Sequence, residues 1–281
     1  MKYVFFGTPE FAAIILRGLI GVGMPPVAVV CNPDKPVGRK KLITAPLTKQ
    51  IAKENGISVF QPETKKDLIA LSPSLAKIAD FAVVAAYAKI IPQEVIDLFK
   101  LGIIGVHPSL LPKFRGPSPI QSAILSDELK TGTTLFLLAK GVDDGAILSQ
   151  EEIDIDGKNY EDLIRDLGEL SLGLLVNVLP NFGVGRIEST PQDTNQATFT
   201  TFFERDAGLV EEDDLKKAMN GDATKSLRIW RMVRALNPEP GVYVFINNKR
   251  TKLLSVNLDN SRLVLERIQK EGKNPEALTQ T

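Results

Sequence analysis

At 281 residues the chain is long for one hydrophobic core and suits two domains, one large and one small. Apolar residues make up 43% and charged residues 24%, an ordinary globular composition, and the formal net charge is zero. That charge excludes a surface basic all over, so any contact with nucleic acid must use local patches. Cys31 is the single cysteine, which excludes an internal disulfide and a Cys-rich zinc site and fits a reducing cytoplasm.

The chain opens on a strand-like run, Lys2-Tyr3-Val4-Phe5-Phe6, without the basic start and small-residue cleavage site of a signal peptide. No apolar run is long enough to span a bilayer, so no membrane partner is expected. Val4–Phe6 reads as a short strand followed by a helix, with Thr8 placed to cap it, Pro9 at its first position, and Phe11, Ile14, Ile15 and Leu16 as its apolar face. Further continuous apolar runs cover residues 26–31, 81–86 and 103–106. Such runs suit a parallel sheet buried on both faces. Residues 133–138 and 145–148 look like later strands of the same sheet. Residues 160–180 look helical, with Leu163, Leu167, Leu170, Leu174 and Leu175 at helical spacing. The expectation for residues 1–180 is therefore a doubly wound, mostly parallel α/β sheet, which binds ligands at the carboxyl ends of its strands. Residues 181–205, rich in Gly, Thr, Asn and Gln, read as a linker. Residues 206–281 read as a second unit. It should have a helix over 224–235 with Leu227, Trp230 and Val233 on one side, a sharp break at Asn237–Gly241, and strands over 242–246, 252–256 and 262–267. Asn247-Asn248 is the expected hairpin turn. A small OB-like β-barrel is the architecture expected there.

His107 is the only histidine. On count alone a lone histidine is a satisfied structural residue, but this one stands at the mouth of the sheet. It is followed by Pro108-Ser109-Leu110-Leu111-Pro112-Lys113-Phe114-Arg115-Gly116-Pro117-Ser118-Pro119-Ile120-Gln121. Prolines restrict the loop and favour a preorganised site. Taken without further context, the run is either a rigid connector or a site built around a titratable imidazole. Fifteen positions, His107 to Gln121, resemble the signature of the folate-dependent formyltransferases. The resemblance implies that family's doubly wound catalytic domain, with His107 at the reacting formyl group. It also implies a folate site lined by Ser109, Leu110, Leu111 and Pro112, together with Tyr87 and Ala88 at the end of an earlier strand. The formyl donor it implies is 10-formyltetrahydrofolate, with no metal.

Amine attack on a formyl group develops an oxyanion and sheds a proton, so a carboxylate that orients and charges the imidazole is needed. By itself, Asp143-Asp144-Gly145 reads as a turn. The resemblance implies that Asp143 is the catalytic partner of His107, which leaves Asp144 to the turn. It also implies an asparagine two residues before the histidine, where this chain has Gly105. Losing one oxyanion donor typically costs roughly 2.7–4 kcal/mol of barrier. Three readings stay open at this position. The chain is a weakened or dead variant; or a water fills the space; or a neighbour such as Ser109 or a backbone N–H takes over.

Four segments resemble the branch of the family that acts on aminoacyl-tRNA rather than on amino-sugar nucleotides. They are the opening Phe5–Ala12, the insertion Asn32–Leu42, and the segments Arg234–Gly241 and Ile268–Lys273. The partner implied is initiator methionyl-tRNA, the location the cytoplasm and the assembly a monomer. Lys35, Arg39, Lys40 and Lys41 form a cationic patch suited to phosphate contacts. Arg228, Arg231 and Arg234 on the second unit's helix are open to RNA contact or to local ion pairs. Ala88 stands where the family has glycine, Glu239 where it often has tryptophan, and the second unit is shorter than usual.

Overall fold

The computed structural model describes residues 1–38 and 41–278. The chain divides into two compact units. The first comprises Met1–Pro119, Thr131–Ile153 and Leu163–Phe199, and the second comprises Ile120–Lys130, Asp154–Asp162 and the chain from Thr200 onward. In chain order the elements begin with β1 (Tyr3–Gly7), α1 (Glu10–Gly21), β2 (Ala28–Val30), β3 (Lys35–Val37), β4 (Leu42–Thr44), α2 (Leu47–Glu54), β5 (Ser58–Phe60) and α3 (Lys65–Ile78). They continue with β6 (Phe81–Ala85), α4 (Gln93–Ile96), β7 (Ile103–His107), α5 (Pro119–Leu125), β8 (Lys130–Leu137), β9 (Ile147–Asp154) and α6 (Tyr160–Phe182). The last are β10 (Leu209–Val210), α7 (Glu212–Met219), α8 (Ala223–Leu236), β11 (Tyr243–Ile246), β12 (Lys249–Asp259), β13 (Arg262–Lys270) and β14 (Glu276–Ala277).

Seven strands form one sheet in the order β5-β2-β1-β6-β7-β8-β9. The first five run parallel. Their apolar runs are buried on both faces, as in Val4, Phe5, Phe6, Val29, Val83 and Ile104, all fully buried. Each such side chain contributes about 1.5–3 kcal/mol relative to exposure. One core cluster joins Val4, Phe6, Val30, Leu68, Leu75 and Phe99. β8 pairs with β7 antiparallel, setting Gly105 opposite Phe136 and His107 opposite Thr134. The expected cap at α1 is corrected. Pro9 occupies the N-cap and makes no side-chain cap bond. Thr8 is thereby one residue too early to reach the first free amides, and its Oγ1 instead accepts from the Asn32 N–H at 3.1 Å. This bond ties the ends of β1 and β2 together. Residues in 181–199 carry isolated bridges, Ile147 with Thr190 and Arg115 with Phe199, and a 3-10 turn at Thr194–Gln196.

In the second unit five strands lie in the order β10-β11-β12-β13-β14, antiparallel except for β10 with β11. Asn247 and Asn248 both adopt left-handed φ and close the β11–β12 hairpin. Asn260-Ser261 does the same between β12 and β13. Helix α8 buries Ser226, Ile229, Met232, Val233 and Leu236, whereas Leu227 is exposed. The buried stripe runs through 226, 229, 233 and 236, so it lies to one side of the face expected from Leu227 and Trp230.

Candidate active site

β7 ends at His107, a buried residue at 6% exposure. Its Nε2 lies 2.8 Å from the Phe114 carbonyl oxygen. A carbonyl only accepts, so Nε2 carries a proton. Nδ1 faces Asp143 Oδ2 at 3.5 Å. The same carboxylate oxygen accepts the Gly116 N–H at 2.8 Å. Phe114 and Gly116 thus hold the two members of the pair from a single tripeptide. Between them, Arg115 is buried at 4% exposure. Its Nε and Nη2 donate to Gln192 Oε1 at 3.1 and 2.7 Å. Gln192 Nε2 donates in turn to the carbonyls of Asp143 and Gly145, at 2.9 and 2.7 Å. Asp143 has φ +48° and Phe114 φ +58°, left-handed conformations that persist only where neighbours enforce them. Gly145 must be glycine, since a Cβ there would lie 1.7 Å from the Leu137 carbonyl.

The loop expected to line the folate site is internally braced. Ser109 is fully buried and its hydroxyl donates to the Lys113 carbonyl at 2.7 Å. Thr134 Oγ1 donates to the Ser109 carbonyl at 2.7 Å and accepts the Leu111 N–H at 3.1 Å. Gln150 Nε2 bonds the Leu111 carbonyl at 2.9 Å. Ser109 and Leu111 therefore point inward, while Leu110 and Pro112 are partly exposed. At the end of β6, Ala86 and Ala88 both have left-handed φ, +47° and +61°. These reversals drive the Tyr87 ring into the core against Phe6. Tyr87 is 2% exposed, so its ring packs in the core, while Ala86 and Ala88 are exposed.

The surroundings of Gly105 bear on the readings left open above, and they leave open a backbone N–H as donor. A Cβ built there would meet Phe136 Cε1 at 2.4 Å and Leu138 Cδ1 at 2.8 Å. The place of a side chain is taken by the Phe136 ring, so a replacement water has no room. The same ring stands edge-on to His107, centroids 6.5 Å apart at 88°. Ser109 cannot substitute as donor, because its one proton is committed to Lys113.

Lys35 and Lys41 are exposed on and beside the β3–β4 hairpin. Arg39 and Lys40 lie outside the described residues. Behind this hairpin Lys49 Nζ pairs with Asp34 at 2.7 Å. With Gln61, that bond holds the Asp34 carboxyl below its ordinary range. The α8 arginines are engaged within their own unit, which favours the local ion-pair reading. Arg228 pairs with Asp214 and Arg231 with Asp127. Arg234 donates to the Lys158 and Ile155 carbonyls and lies over the Trp230 ring at 4.1 Å. Among the described residues no group of three His, Cys, Asp or Glu could hold a metal ion. No described helix is long and apolar enough to cross a membrane.

Sequence reasoning missed Gln192, Phe136, Thr134 and Gln150. Gln192 stands 77 residues from Arg115 and 49 from Asp143, and an isolated glutamine carries no periodicity or spacing that signals a contact.

Residues 1–179 match the family model described as "Formyl transferase", and residues 223–263 match "Formyl transferase, C-terminal domain". The methionyl-tRNA formyltransferase of Kosmotoga olearia is 39% identical over 260 residues, covering 92% of this chain and 80% of that protein. That of Thermotoga maritima is 37% identical over 257 residues, covering 91% and 79%. Among solved structures, the methionyl-tRNA formyltransferase of Clostridium thermocellum superposes with a TM-score of 0.60 at 16% identity, covering 96% of this chain and 98% of that one. The N-formyltransferase of Helicobacter canadensis, in complex with folinic acid and dTDP-3-aminofucose, gives 0.66 at 18% identity, covering 92% and 88%. The sheet with its buried strand-end histidine, and the match over most of the chain, lead to one conclusion: this chain belongs to the formyl transferase family.

Proposed function

We propose that the chain transfers the formyl group of 10-formyltetrahydrofolate to the amino group of initiator methionyl-tRNA. It does so as a cytoplasmic monomer, with residues 1–180 as catalytic domain, 181–205 as linker and 206–281 as tRNA-binding domain. The observation that carries this reading is the His107–Asp143 pair, held by Phe114 and Gly116 at the carboxyl end of the sheet. The names of the relatives at 37–39% identity support the tRNA substrate.

The chemistry follows from the tautomer. The methionyl nitrogen bonds to the formyl carbon and must lose a proton. With Nε2 protonated against the Phe114 carbonyl, Nδ1, which faces Asp143, is the ring atom left to take that proton, and the proton then sits between the ring and the carboxylate. The resulting imidazolium, held by the carboxylate, favours the negative charge developing on the formyl oxygen. The bond from carbon to N10 of the folate then breaks, and the proton passes to N10. Tetrahydrofolate and formylmethionyl-tRNA are the products. Leu110, Pro112 and Ala88 border the donor's place, with Lys35, Arg39, Lys40 and Lys41 holding acceptor-end phosphates.

The test is transfer from 10-formyltetrahydrofolate to methionyl-tRNA, with a dTDP-amino sugar as the competing acceptor. Formylation of the tRNA, lost in His107→Ala and reduced in Asp143→Asn, is the expected result. Formylation of the sugar nucleotide alone, or an undiminished His107→Ala variant, would overturn the reading.

A further inference from the structure

We infer that Gln192 is the residue that positions Asp143, acting through its side-chain amide as a clamp between the two loops of the active site. The inference rests on the role of Asp143 proposed above. The Gln192 amide uses its whole hydrogen-bonding capacity. Its oxygen accepts two bonds from the buried Arg115 guanidinium, and its nitrogen gives one proton each to the carbonyls of Asp143 and Gly145. Arg115 is in turn the middle residue of the tripeptide whose flanking backbone holds His107 and the Asp143 carboxylate. The clamp therefore fixes the spacing between the histidine's anchor and the aspartate's backbone. Asp143 has particular need of it. A left-handed φ of +48° on a non-glycine residue is maintained only where surrounding bonds over-determine it. Without the two N–H donors of Gln192, the turn is free to relax and carry the carboxylate away from Nδ1, already at 3.5 Å.

Two variants separate the clamp from simple packing. Gln192→Met keeps the length of the side chain and removes all four bonds. Gln192→Glu keeps a bidentate partner for Arg115 but presents carboxylate oxygen, with no proton, to the two carbonyls. Misplacement of a catalytic group by about 1 Å costs up to roughly a hundredfold in rate. Both variants are therefore expected to lower kcat for formyl transfer to methionyl-tRNA by roughly ten- to a hundredfold. KM for either substrate should stay within about threefold, because a lost transition-state interaction appears in kcat. The double variant Gln192→Met/Asp143→Asn should be no slower than Asp143→Asn, since a residue acting through Asp143 has nothing left to position.

Hydrogen exchange at the Gly116 amide reads the same geometry without substrate. Protection in the unaltered chain should fall in Gln192→Met and Gln192→Glu, whereas Asp143→Asn keeps an amide oxygen that can accept the Gly116 N–H. A Gln192→Glu variant with unaltered kcat and unaltered Gly116 protection would overturn the inference, as would a Gln192→Met loss that multiplies on top of Asp143→Asn. If instead Asp143→Asn itself leaves kcat unchanged, the role proposed for Asp143 fails, and the Gly116 exchange result still decides whether Gln192 holds the turn.

Discussion

Substituting Gly105 by Asn tests directly how the Phe136 ring occupies the site. The new Cβ would lie 2.4 and 2.5 Å from two Phe136 ring atoms and 2.8 Å from Leu138 Cδ1, distances at which neighbours must shift. Overpacking of this kind costs about 1–3 kcal/mol. The added amide is buried beside an aromatic ring and an aliphatic chain, and an unsatisfied polar group costs a further ~1–3 kcal/mol. Replacing glycine where the backbone permits a side chain returns about 0.4–1 kcal/mol through the unfolded chain. The net loss worked from these values is about 1–5.5 kcal/mol, or roughly 2–22 °C in Tm for a domain of this size. Phe136→Ala alone removes a buried ring that packs on His107, at about 3–5 kcal/mol. Combined with Gly105→Asn it vacates the space the amide needs, so the double variant should be more stable than the sum of the singles by about 1–3 kcal/mol. Denaturant titration of the four proteins measures the coupling, and formyl transfer assayed alongside shows whether an amide at 105 assists the oxyanion once it has room. Additive stabilities, or a Gly105→Asn variant as stable as the parent, would refute the reasoning, because the ring would then have rotated away at no cost.

Three further outcomes follow from other positions. Ala88→Gly, at φ +61°, should stabilise by roughly 1 kcal/mol, the lower end of the left-handed penalty for a side chain, and raise Tm in a thermal scan. Cys31 is fully buried, and burial pushes its thiol up to about 11. The folded state therefore favours the neutral thiol, so this group's share of stability is present below the unfolded thiol range near 9 and is lost as pH rises towards 11. At neutral pH iodoacetamide should label Cys31 only at the rate of unfolding, and fast labelling of the folded chain would contradict the burial. Arg234→Met should destabilise the second unit by about 2–4 kcal/mol, since it leaves the Lys158 and Ile155 carbonyls without their charged donor. Hydrogen exchange resolved by unit would locate the loss.

The sequence by itself determined the large elements and the chemistry. Runs such as Phe81–Ala85 and Ile103–Val106 are apolar at every position, which suits a strand covered on both faces. His107 stood out because its neighbours form a motif, whereas Asp143 was reached only through the family resemblance, and the Asn-Asn turn was legible because left-handed φ selects that residue. The small strands β3, β4 and β10 left no such mark, being three residues or fewer. Tertiary structure alone decided which atoms meet. Two left-handed alanines turned Tyr87 inward. The register of β8 on β7 put Phe136 where residue 105 would otherwise project. The fold brought Gln192 to the back of Asp143 across 49 residues of chain. Periodicity records which side chains must leave water, and that is a property of each segment. A partner in a hydrogen bond or a ring filling a glycine's space is a property of two segments at once, and it comes into being only when the chain closes.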